Sequence, residues 1–244
     1  MSVMAIIPAR GGSRGIPRKN LLQLCGKPLV VYSIEQALAC PLVDEVVVST
    51  DDAKIGEVAK AAGAAVCWRP AELARDDSPT EDAIRHVLAT HGSDPSVVVL
   101  LQPTSPIRQP GDIEATIETV IDTYFDSCFS VREVEGFVHV EGDTWAHWVR
   151  PMRQHKPKVL EENGSIYCFK RNTFLKVDNR ICGEFLHYVM HPLDSFQLDE
   201  PWQIELFAKL IPLRMPQNAK LVAHKPSSTN YMIARGNALV PDNV

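Results

Sequence analysis

The chain of 244 residues is 45% hydrophobic and 23% charged, and its formal net charge is −5. Such a composition is typical of a globular protein with one large α/β domain, or one domain with an insertion. The negative charge argues against broad binding to nucleic acid or to a membrane surface, because both require a positive field.

Targeting and redox features favour a cytoplasmic protein. The apolar run after Met1 is too short for a signal peptide, and no window reaches the length of a membrane span. The six cysteines form no C-x-x-C pair and have no zinc-ligand spacing, so they are predicted to be thiols in a reducing compartment.

Strands and helices are predicted to alternate in the first half of the chain. Apolar runs of strand length occupy residues 3–7, 45–50, 64–68, 96–102 and 127–131. Helical patterns lie between them, at 28–39, 52–63, 78–92 and 112–125. A capping box at Ser78 or Thr80 is expected to open the third helix. Buried strands separated by helices predict a Rossmann-like α/β fold with a mostly parallel sheet covered on both faces.

Beyond Val131 this alternation ends. Residues 132–160 alternate loosely and then become basic and polar, which predicts an inserted β-arm instead of another βαβ unit. A strand is expected at 164–170 and a helix at 201–211, with Pro201 at its first position.

The predicted organisation has three parts. The last thirty or so residues carry Pro, Asn and Ser and are expected to form a C-terminal tail. The α/β domain then comprises residues 1–131 and 161–215. The arm comprises residues 132–160, and the tail comprises residues 216–244.

A dense group of charges lies in "IPARGGSRGIPRKN", residues 7–20. The cations and glycines of this loop are Arg10, Arg14, Arg18, Lys19, Gly11, Gly12 and Gly15. Ligands of doubly wound sheets bind beyond the carboxyl ends of the strands, and glycines let backbone N–H groups approach an anion. The loop is therefore predicted to bind a polyphosphate. It matches neither the P-loop nor G-x-G-x-x-G, and a mobile surface loop with solvated cations is the alternative.

Further motifs follow this loop in order: "GKPLVVYSIEQAL", "STDD" at 49–52, "RPAEL" at 69–73, "LLQPTSPIR" at 100–108 and "ENGSIY" at 162–167. Together with the loop, they resemble the acylneuraminate cytidylyltransferases, the CMP-sialic acid synthetase family, over roughly residues 3–210. The related 3-deoxy-manno-octulosonate cytidylyltransferases share the opening loop but usually not the "QPTSP" and "NGSIY" pair.

This resemblance implies a fold of the nucleotide-diphospho-sugar transferase type and a nucleotidyl transfer. A nucleoside triphosphate, expected to be CTP, would react with the anomeric hydroxyl of an acidic nine-carbon sugar and release pyrophosphate, with Mg²⁺ as cofactor. GTP in place of CTP stays open, and so does a legionaminic or pseudaminic acid in place of sialic acid. A nucleotide-binding regulator that has lost catalysis is the alternative of another class.

By resemblance, the nucleotide is predicted to contact the opening loop and two later positions. Arg10, Arg14 and Lys19 would hold the triphosphate, and Arg14 stands where family members commonly carry Lys. For Arg69 the alternative is an ordinary surface position, and for Thr80 it is a helix cap. The complete set is Ala9, Arg10, Gly11, Gly12, Ser13, Arg14, Lys19, Asn20, Arg69 and Thr80.

The sugar site is predicted from two motifs. "QPTSPIR" begins at the end of the clearest central strand, where Pro103 and Pro106 stiffen a turn, and a rigid turn without a ligand is the alternative. "ENGSIY" contains Asn-Gly, which is also a hairpin signal, and the two interpretations are compatible. The predicted sugar contacts are Gln102, Thr104, Ser105, Arg108, Asn163, Gly164 and Tyr167, with Arg108 on the sugar carboxylate.

The metal site departs from the family pattern. Where relatives usually carry Asp-Ile-Asp, this chain has Gln197-Leu198-Asp199, so an amide replaces one carboxylate. Residues two apart on an extended strand face the same side, which would place the two polar side chains together. Asp199 is predicted to bind Mg²⁺, with Asp194 as a substitute ligand and a helix-terminal charge as the alternative role. The predicted catalytic residues are Arg10, Lys19 and Asp199.

The predicted arm has an apolar, aromatic face and a basic end. The face contains Phe137, Val138, Trp145 and Trp148, and an exposed patch of this kind signals a partner. Because the family often dimerises through an arm inserted here, a homodimer is expected. The basic end would reach the neighbouring active site, or else be solvated, and consists of Arg150, Arg153, His155, Lys156 and Lys158.

Overall fold

The computed structural model describes residues 1–138, 152–155, 158–215 and 231–232. The strands in this part of the chain are β1 Val3–Pro8, β2 Gln23–Leu24, β3 Lys27–Pro28, β4 Glu45–Thr50, β5 Ala65–Trp68, β6 Val97–Leu101, β7 Ser127–Glu133, β8 Leu160–Lys170, β9 Phe185–Val189 and β10 Tyr231–Met232. The helices are α1 Leu29–Ala39, α2 Ala53–Ala61, α3 Thr80–Thr90, α4 Asp112–Asp122, α5 Arg171–Val177 and α6 Gln203–Arg214.

Eight of these strands form one sheet in the order β10-β9-β7-β8-β6-β1-β4-β5. The strands β6, β1, β4 and β5 are mutually parallel, whereas β8 runs antiparallel between β6 and β7. The predicted Rossmann-like α/β fold is therefore confirmed. The carboxyl ends of β1 and β6 lie side by side, and the opening loop and "QPTSPIR" leave the sheet at this shared edge.

Helices cover the sheet on both faces, because each turns an apolar stripe toward it. On one face α1, α2 and α4 bury Ile34, Ile55 and Ile117. On the other face α3 and α5 bury Ile84 and Phe174. None of the described helices has the length and apolar character needed to cross a membrane.

A third apolar cluster fixes the opening loop. Ile16 from that loop and Leu24 from β2 pack with Phe207, Leu210 and Ile211 of α6. The loop is thus anchored by a buried side chain and by a helix from the far end of the domain. This packing favours an ordered loop over a mobile surface loop.

Two helix starts differ from the predictions. The cap residue of α3 is Pro79, no side chain caps this helix, and the hydroxyl of Ser78 donates to the carbonyl of Glu72 over 3.3 Å. The predicted capping box is therefore wrong. The last helix begins at Gln203, two residues after Pro201, because Gln203 Oε1 accepts the amides of residues 199 and 200 that precede the helix.

Two elements between 171 and 189 were not predicted, namely α5 and β9. Four of the five residues of Phe185–Val189 are aliphatic or aromatic, with His187 between them, so a signal for β9 was present. The strand pairs parallel with β7 and antiparallel with β10, which lies inside the predicted tail. Part of that tail thus belongs to the sheet.

The predicted arm grows out of the β7–β8 hairpin. The pairing of these strands continues to Glu133 opposite Leu160, and Lys158 Nζ lies 3.3 Å from Glu133 Oε2. The first and last residues of the 132–160 segment thus belong to the sheet. Val138 is 45% exposed, as expected for the apolar face. The predicted positions that lie outside the described residues are Trp145, Trp148, Arg150 and Lys156.

Candidate active site

A cleft of about 450 Å³ opens at the carboxyl ends of β1 and β6, where ligands of parallel sheets bind. Its walls come from the loop after β1, the segment before α3, the loop after β6 and the segment before α6. These four segments bring together the predicted residues Arg10, Ser13, Arg14, Lys19, Asn20, Arg69, Thr80, Gln102, Thr104 and Asp199.

The cations of the cleft lie beside carboxylates. Asp76 binds two of them: Arg10 Nη2 lies 2.9 Å from Oδ1, and Arg14 Nε lies 2.8 Å from Oδ2. The hydrogen bond from Arg14 lowers the pKa of Asp76, which keeps this carboxyl charged. Lys19 Nζ lies 2.8 Å from Asp199 Oδ1. Three cations thus converge on two carboxylates in one cleft.

The opening loop keeps its shape through interior contacts. The buried amide of Asn20 donates to the carbonyl of Arg10 over 2.9 Å. A Cβ added to Gly15 would lie 2.2 Å from the carbonyl oxygen of Asp199, so only glycine permits this close approach. The loop is therefore packed directly against the segment that precedes α6.

Three predicted nucleotide contacts of this loop do not line the cleft. Ala9 is buried and its amide donates to the carbonyl of Ser49 over 2.9 Å, and the amide of Gly11 donates to Asp51 Oδ1 over 2.8 Å. Gly12 also lies outside the lining. The backbone groups of Ala9 and Gly11 are thus used within the protein. Arg18, the fourth cation of the loop, pairs with Asp52 over 2.7 Å outside the cleft.

Arg69 forms part of the cleft floor and is not an ordinary surface residue. Its Nε and Nη2 atoms donate to the hydroxyl and the carbonyl of Ser49 over 3.1 and 2.9 Å. Burial lowers the pKa of Arg69, and the nearby Asp51 partly offsets this effect. A buried cation with one face toward the cleft is suited to an anionic ligand.

On the opposite side of the cleft, Gln102 and Thr104 follow β6 and face Gln197. Gln197 Nε2 donates to the carbonyl of Asn163 over 2.9 Å. Gly164 has φ +67°, and an added Cβ would lie 2.3 Å from Gln197 Nε2 and 3.0 Å from Gln102 Oε1. Glycine at this position thus leaves room for both amides beside the backbone of β8. This polar wall is suited to hydroxyl groups.

Four predicted sugar contacts lie in the interior instead. Ser105 is buried, and its hydroxyl has no hydrogen-bond partner among the described residues. Both ends of the buried Asn163 amide are satisfied, since Oδ1 accepts from Ser130 and Nδ2 donates to Ser195. The phenol of Tyr167 donates to Glu162 on the face of the sheet that α3 covers.

The prediction that Arg108 meets the sugar carboxylate is also wrong. Its side chain is buried beneath the loop after β6, and burial lowers its pKa to about 9. All four of its hydrogen bonds go to neutral oxygens within the protein. No donor of Arg108 lines the cleft.

The residues of the predicted metal site lie in an irregular segment and not on a strand. Asp199 lines the cleft, whereas Asp194 is buried and forms two 2.7 Å hydrogen bonds with Arg214 elsewhere. Asp194 is therefore not a substitute ligand. Within the described ranges, no group of three or more His, Cys, Asp or Glu side chains could hold a metal ion. A metal at Asp199 would take its remaining ligands from water or from a substrate.

The sequence reasoning missed Asp76 and gave Gln197 only the role of a lost ligand. Two residues separate Asp76 from "RPAEL", and it stands just before the "SPT" run that lines the cleft. An acid between two predicted binding segments was a usable signal. The bond from Gln197 to the backbone of Asn163 has no such signal, because it joins segments 34 residues apart.

Comparison with known proteins agrees with this arrangement. A family model described as cytidylyltransferase matches residues 4–210. The chain is 44% identical over 221 residues to an N-acylneuraminate cytidylyltransferase of Escherichia coli O18:K1:H7, covering 84% of this chain and 51% of that protein. It is 35% identical over 207 residues to N-acylneuraminate cytidylyltransferase A of Danio rerio, covering 81% and 48%. The chain thus spans about half the length of these curated relatives.

A third relative differs in its substrate. A CMP-N,N'-diacetyllegionaminic acid synthase of Legionella pneumophila is 42% identical over 125 residues, covering 48% of this chain and 53% of that protein. Among solved structures, CMP:2-keto-3-deoxy-manno-octonic acid synthetase complexed with CTP shares the fold, with a TM-score of 0.68 and 20% identity over 87% of this chain and 99% of that chain. From its family model, its curated relatives and its cleft, the chain belongs to the cytidylyltransferase family.

Proposed function

We propose that the protein couples CTP to the anomeric hydroxyl of a nonulosonic acid of the sialic type, giving a CMP-sugar and pyrophosphate. The observation that carries the proposal is the contact between Lys19 and Asp199 within one cleft. It brings the cationic loop after β1 and the carboxylate before α6 to the same place, across 180 residues of sequence. The names of the curated relatives support the same reaction.

The cationic side of the cleft is suited to a triphosphate. Arg10, Arg14 and Lys19 already hold carboxylate oxygens at hydrogen-bond distance, and phosphate oxygens make the same kind of charge-assisted bond. Arg69 adds a fourth cation from the floor. A triphosphate would replace Asp76 and Asp199 as the partner of these cations.

The residues present fit Mg²⁺ as a cofactor held jointly by protein and substrate. Mg²⁺ commonly takes one or two protein carboxylates and completes its octahedron with phosphates and water. Asp199 would supply the carboxylate, while Gln197 supplies none and donates its amide hydrogen to a backbone carbonyl. When bound, the ion would neutralise charge on the phosphates.

The proposed mechanism relies on positioning and charge stabilisation. Gln102 and Thr104 would orient the sugar so that its anomeric oxygen lies in line with the α-phosphorus. Arg10 and Lys19 would stabilise the negative charge that develops on the phosphate oxygens. The carboxylates that line the cleft, Asp199 among them, would be available to accept the proton of the attacking hydroxyl once the triphosphate has taken their cation partners.

A legionaminic acid is the second candidate substrate. The relative from Legionella pneumophila favours it, since its identity of 42% is close to that of the Escherichia coli protein, although over a shorter stretch. Both sugars are acidic nine-carbon compounds, and the reaction is the same.

A substrate panel tests the proposal. CTP and GTP are each incubated with Mg²⁺ and with sialic, legionaminic and pseudaminic acids, and pyrophosphate release is measured. Release with CTP and one of the acids is expected. Nucleotide binding without release from any pair would instead support the nucleotide-binding regulator, and release with GTP alone would change the nucleotide.

A cytoplasmic homodimer completes the proposal. The exposed Val138 at the start of the arm supports a partner surface, and all six cysteines are free thiols, as expected for a reducing compartment. Analytical ultracentrifugation tests the dimer. A Val138→Asp variant should shift the protein toward the monomer if this face is the interface.

A further inference from the structure

We infer that Arg108 is a positioning residue for the sugar side of the cleft. Its buried guanidinium holds the loop after β6 against β8, so that Gln102 keeps the place from which it binds the sugar. This inference rests on the proposed function, because that function assigns Gln102 to the sugar.

The guanidinium of Arg108 joins three elements. Its Nη1 donates to Ser33 Oγ over 3.1 Å and to Gln36 Oε1 over 2.9 Å, and both residues belong to α1. Its Nη2 donates to the carbonyls of Gln102 over 2.9 Å and Ser165 over 2.8 Å. One planar fork therefore fixes the residue that follows β6 and the middle of the adjacent β8 relative to the same helix.

The environment of Arg108 shows that this arrangement is costly. The residue is 2% exposed, and each of its four acceptors is a neutral oxygen. Its Nε has no acceptor among the described residues. A buried cation without a directly bonded carboxylate destabilises a fold, and an apolar side chain of similar size would fill the space at lower cost. A role of Arg108 beyond stability would explain why a buried cation is kept at this position.

The segments that Arg108 fixes carry the polar wall of the cleft. Gln36 Nε2 donates to the carbonyl of Pro106 over 2.8 Å, so α1 also holds the far end of the same loop. At the front of the loop, the carbonyl of Thr104 accepts the amide of Leu198 over 2.7 Å. The loop therefore sits between Arg108 behind it and the run that leads to Asp199 in front.

The polar wall of the cleft leaves little room for the loop after β6 to move. A Cβ at Gly164 would lie 3.0 Å from Gln102 Oε1, so the backbone beside Ser165 and the amide of Gln102 are in close contact. A shift of the loop relative to β8 would change the position of that amide directly. A displacement of about 1 Å at a substrate contact can reduce a rate by as much as a hundredfold. Loss of the Arg108 guanidinium should therefore weaken sugar binding.

The test compares Arg108→Met with Arg214→Met. Arg214 is a matched control, because it is a partly buried arginine that lines the same groove behind the loop, and its partner Asp194 does not itself line the cleft. For Arg108→Met we expect the KM for the sugar to rise about tenfold or more, with the Kd for CTP within about twofold of wild type. The control should change neither constant by more than about twofold.

Chemical rescue separates positioning from a general structural role. A groove of about 260 Å³, lined in part by Arg108, opens behind the loop and gives a small cation access to this position. In Arg108→Gly, guanidinium ion should lower the sugar KM at least about fivefold, whereas methylammonium should not, because it lacks the planar fork. Arg108→Lys should lie between wild type and Arg108→Met, and it serves as the test if the methionine variant does not fold.

The outcomes distinguish this inference from the proposed function. If wild type forms no CMP-sugar with any substrate pair, the proposed function fails, and amide hydrogen exchange of residues 102–106 and 163–166 then tests the positioning role. Faster exchange in both segments for Arg108→Met, but not for Arg214→Met, would support it. An unchanged sugar KM in a folded, active Arg108 variant, or unchanged exchange in an inactive one, would overturn it.

Discussion

Lys19 is the residue at which the two sides of the proposed site meet. Lys19→Ala should raise the Kd for CTP about tenfold or more, since a charge-assisted hydrogen bond contributes roughly 1.5–3 kcal/mol. Isothermal titration calorimetry measures the Kd, and Lys27→Ala, which removes a lysine paired with Glu35 outside the cleft, is the control. Equal losses in both variants, or no loss in either, would contradict the phosphate role.

A second prediction concerns Asp76, because its carboxylate pairs with Arg10 and Arg14, which the triphosphate would bind. Asp76→Asn removes the competing charge and should tighten CTP binding about two- to tenfold, with the larger effect at low ionic strength. The control is Asp77→Asn, whose exposed carboxylate pairs only loosely with Arg75 over 3.4 Å. Weaker CTP binding by Asp76→Asn would show that Asp76 organises the loop and does not compete with the nucleotide.

Gln197 allows a test of the metal site. Gln197→Asp adds a second carboxylate near Asp199 and should lower the Mg²⁺ concentration that gives half-maximal turnover by a few-fold. It also removes the bond to the carbonyl of Asn163, which costs about 1 kcal/mol of stability. Gln197→Asn is the control, since it alters that bond without adding charge. The same Mg²⁺ requirement in all three proteins would place the ion away from residue 197.

At the residue scale, sequence reasoning could predict the charges of the site but not the direction of every side chain. Lys19 and Gln102 follow the ends of strands, where topology alone places them at the cleft. Arg108 also follows β6, yet its side chain turns back under the loop and donates to the carbonyl of Ser165. That bond depends on the antiparallel pairing of β8 with β6, which joins residues distant in sequence and has no local signal.

Among the helices, α4 is expected to make the stability of the protein depend on pH. Its first residue, Asp112, is buried and accepts hydrogen bonds from the amide of Gln109 and the phenol of Tyr188 on β9. Burial raises the pKa of Asp112 to about 6. The folded protein therefore holds this proton more tightly than the unfolded chain does, so the contribution of Asp112 to stability is greatest at low pH and is lost as the pH rises from about 4 to about 6.

Asp112→Asn should remove this dependence. Relative to wild type, the variant should gain about 2.5 kcal/mol in unfolding free energy between about pH 4 and pH 7.5, because a pKa difference of one unit corresponds to 1.36 kcal/mol and the unfolded carboxyl is already partly ionised at pH 4. Denaturant unfolding at the two pH values measures the change. Asp122→Asn, an exposed substitution at the other end of α4, is the control, and parallel curves for all three proteins would refute the assignment.

Some strands and helices could be predicted from the sequence, and others could not. The continuous apolar strands β1, β4 and β6 are buried on both faces, so composition alone marks them. The short helix α5 was missed because seven residues hold less than two full turns of periodic pattern. The start of α6 was misplaced because Gln203, not Pro201, satisfies the free backbone amides.

For the whole molecule, the sheet converts separate sequence motifs into one site. The loop after β1, the loop after β6 and the segment before α6 are far apart in sequence, yet they share one edge of the sheet. The apolar cluster around Phe207 presses α6 against the opening loop and so brings Asp199 to Lys19. Catalysis by positioning needs this rigidity, because the residues proposed for the nucleotide and for the sugar lie on opposite walls.

A crystal structure of the protein with CTP would show directly where the triphosphate binds. We expect it in the cleft at the end of β1, with its oxygens within hydrogen-bond distance of Arg10 and Lys19 and its α-phosphorus facing Gln102. Both Asp76 and Asp199 should have exchanged their cation partners for other contacts. A well-ordered nucleotide bound elsewhere, with the Arg10–Asp76 and Lys19–Asp199 pairs intact, would contradict the account.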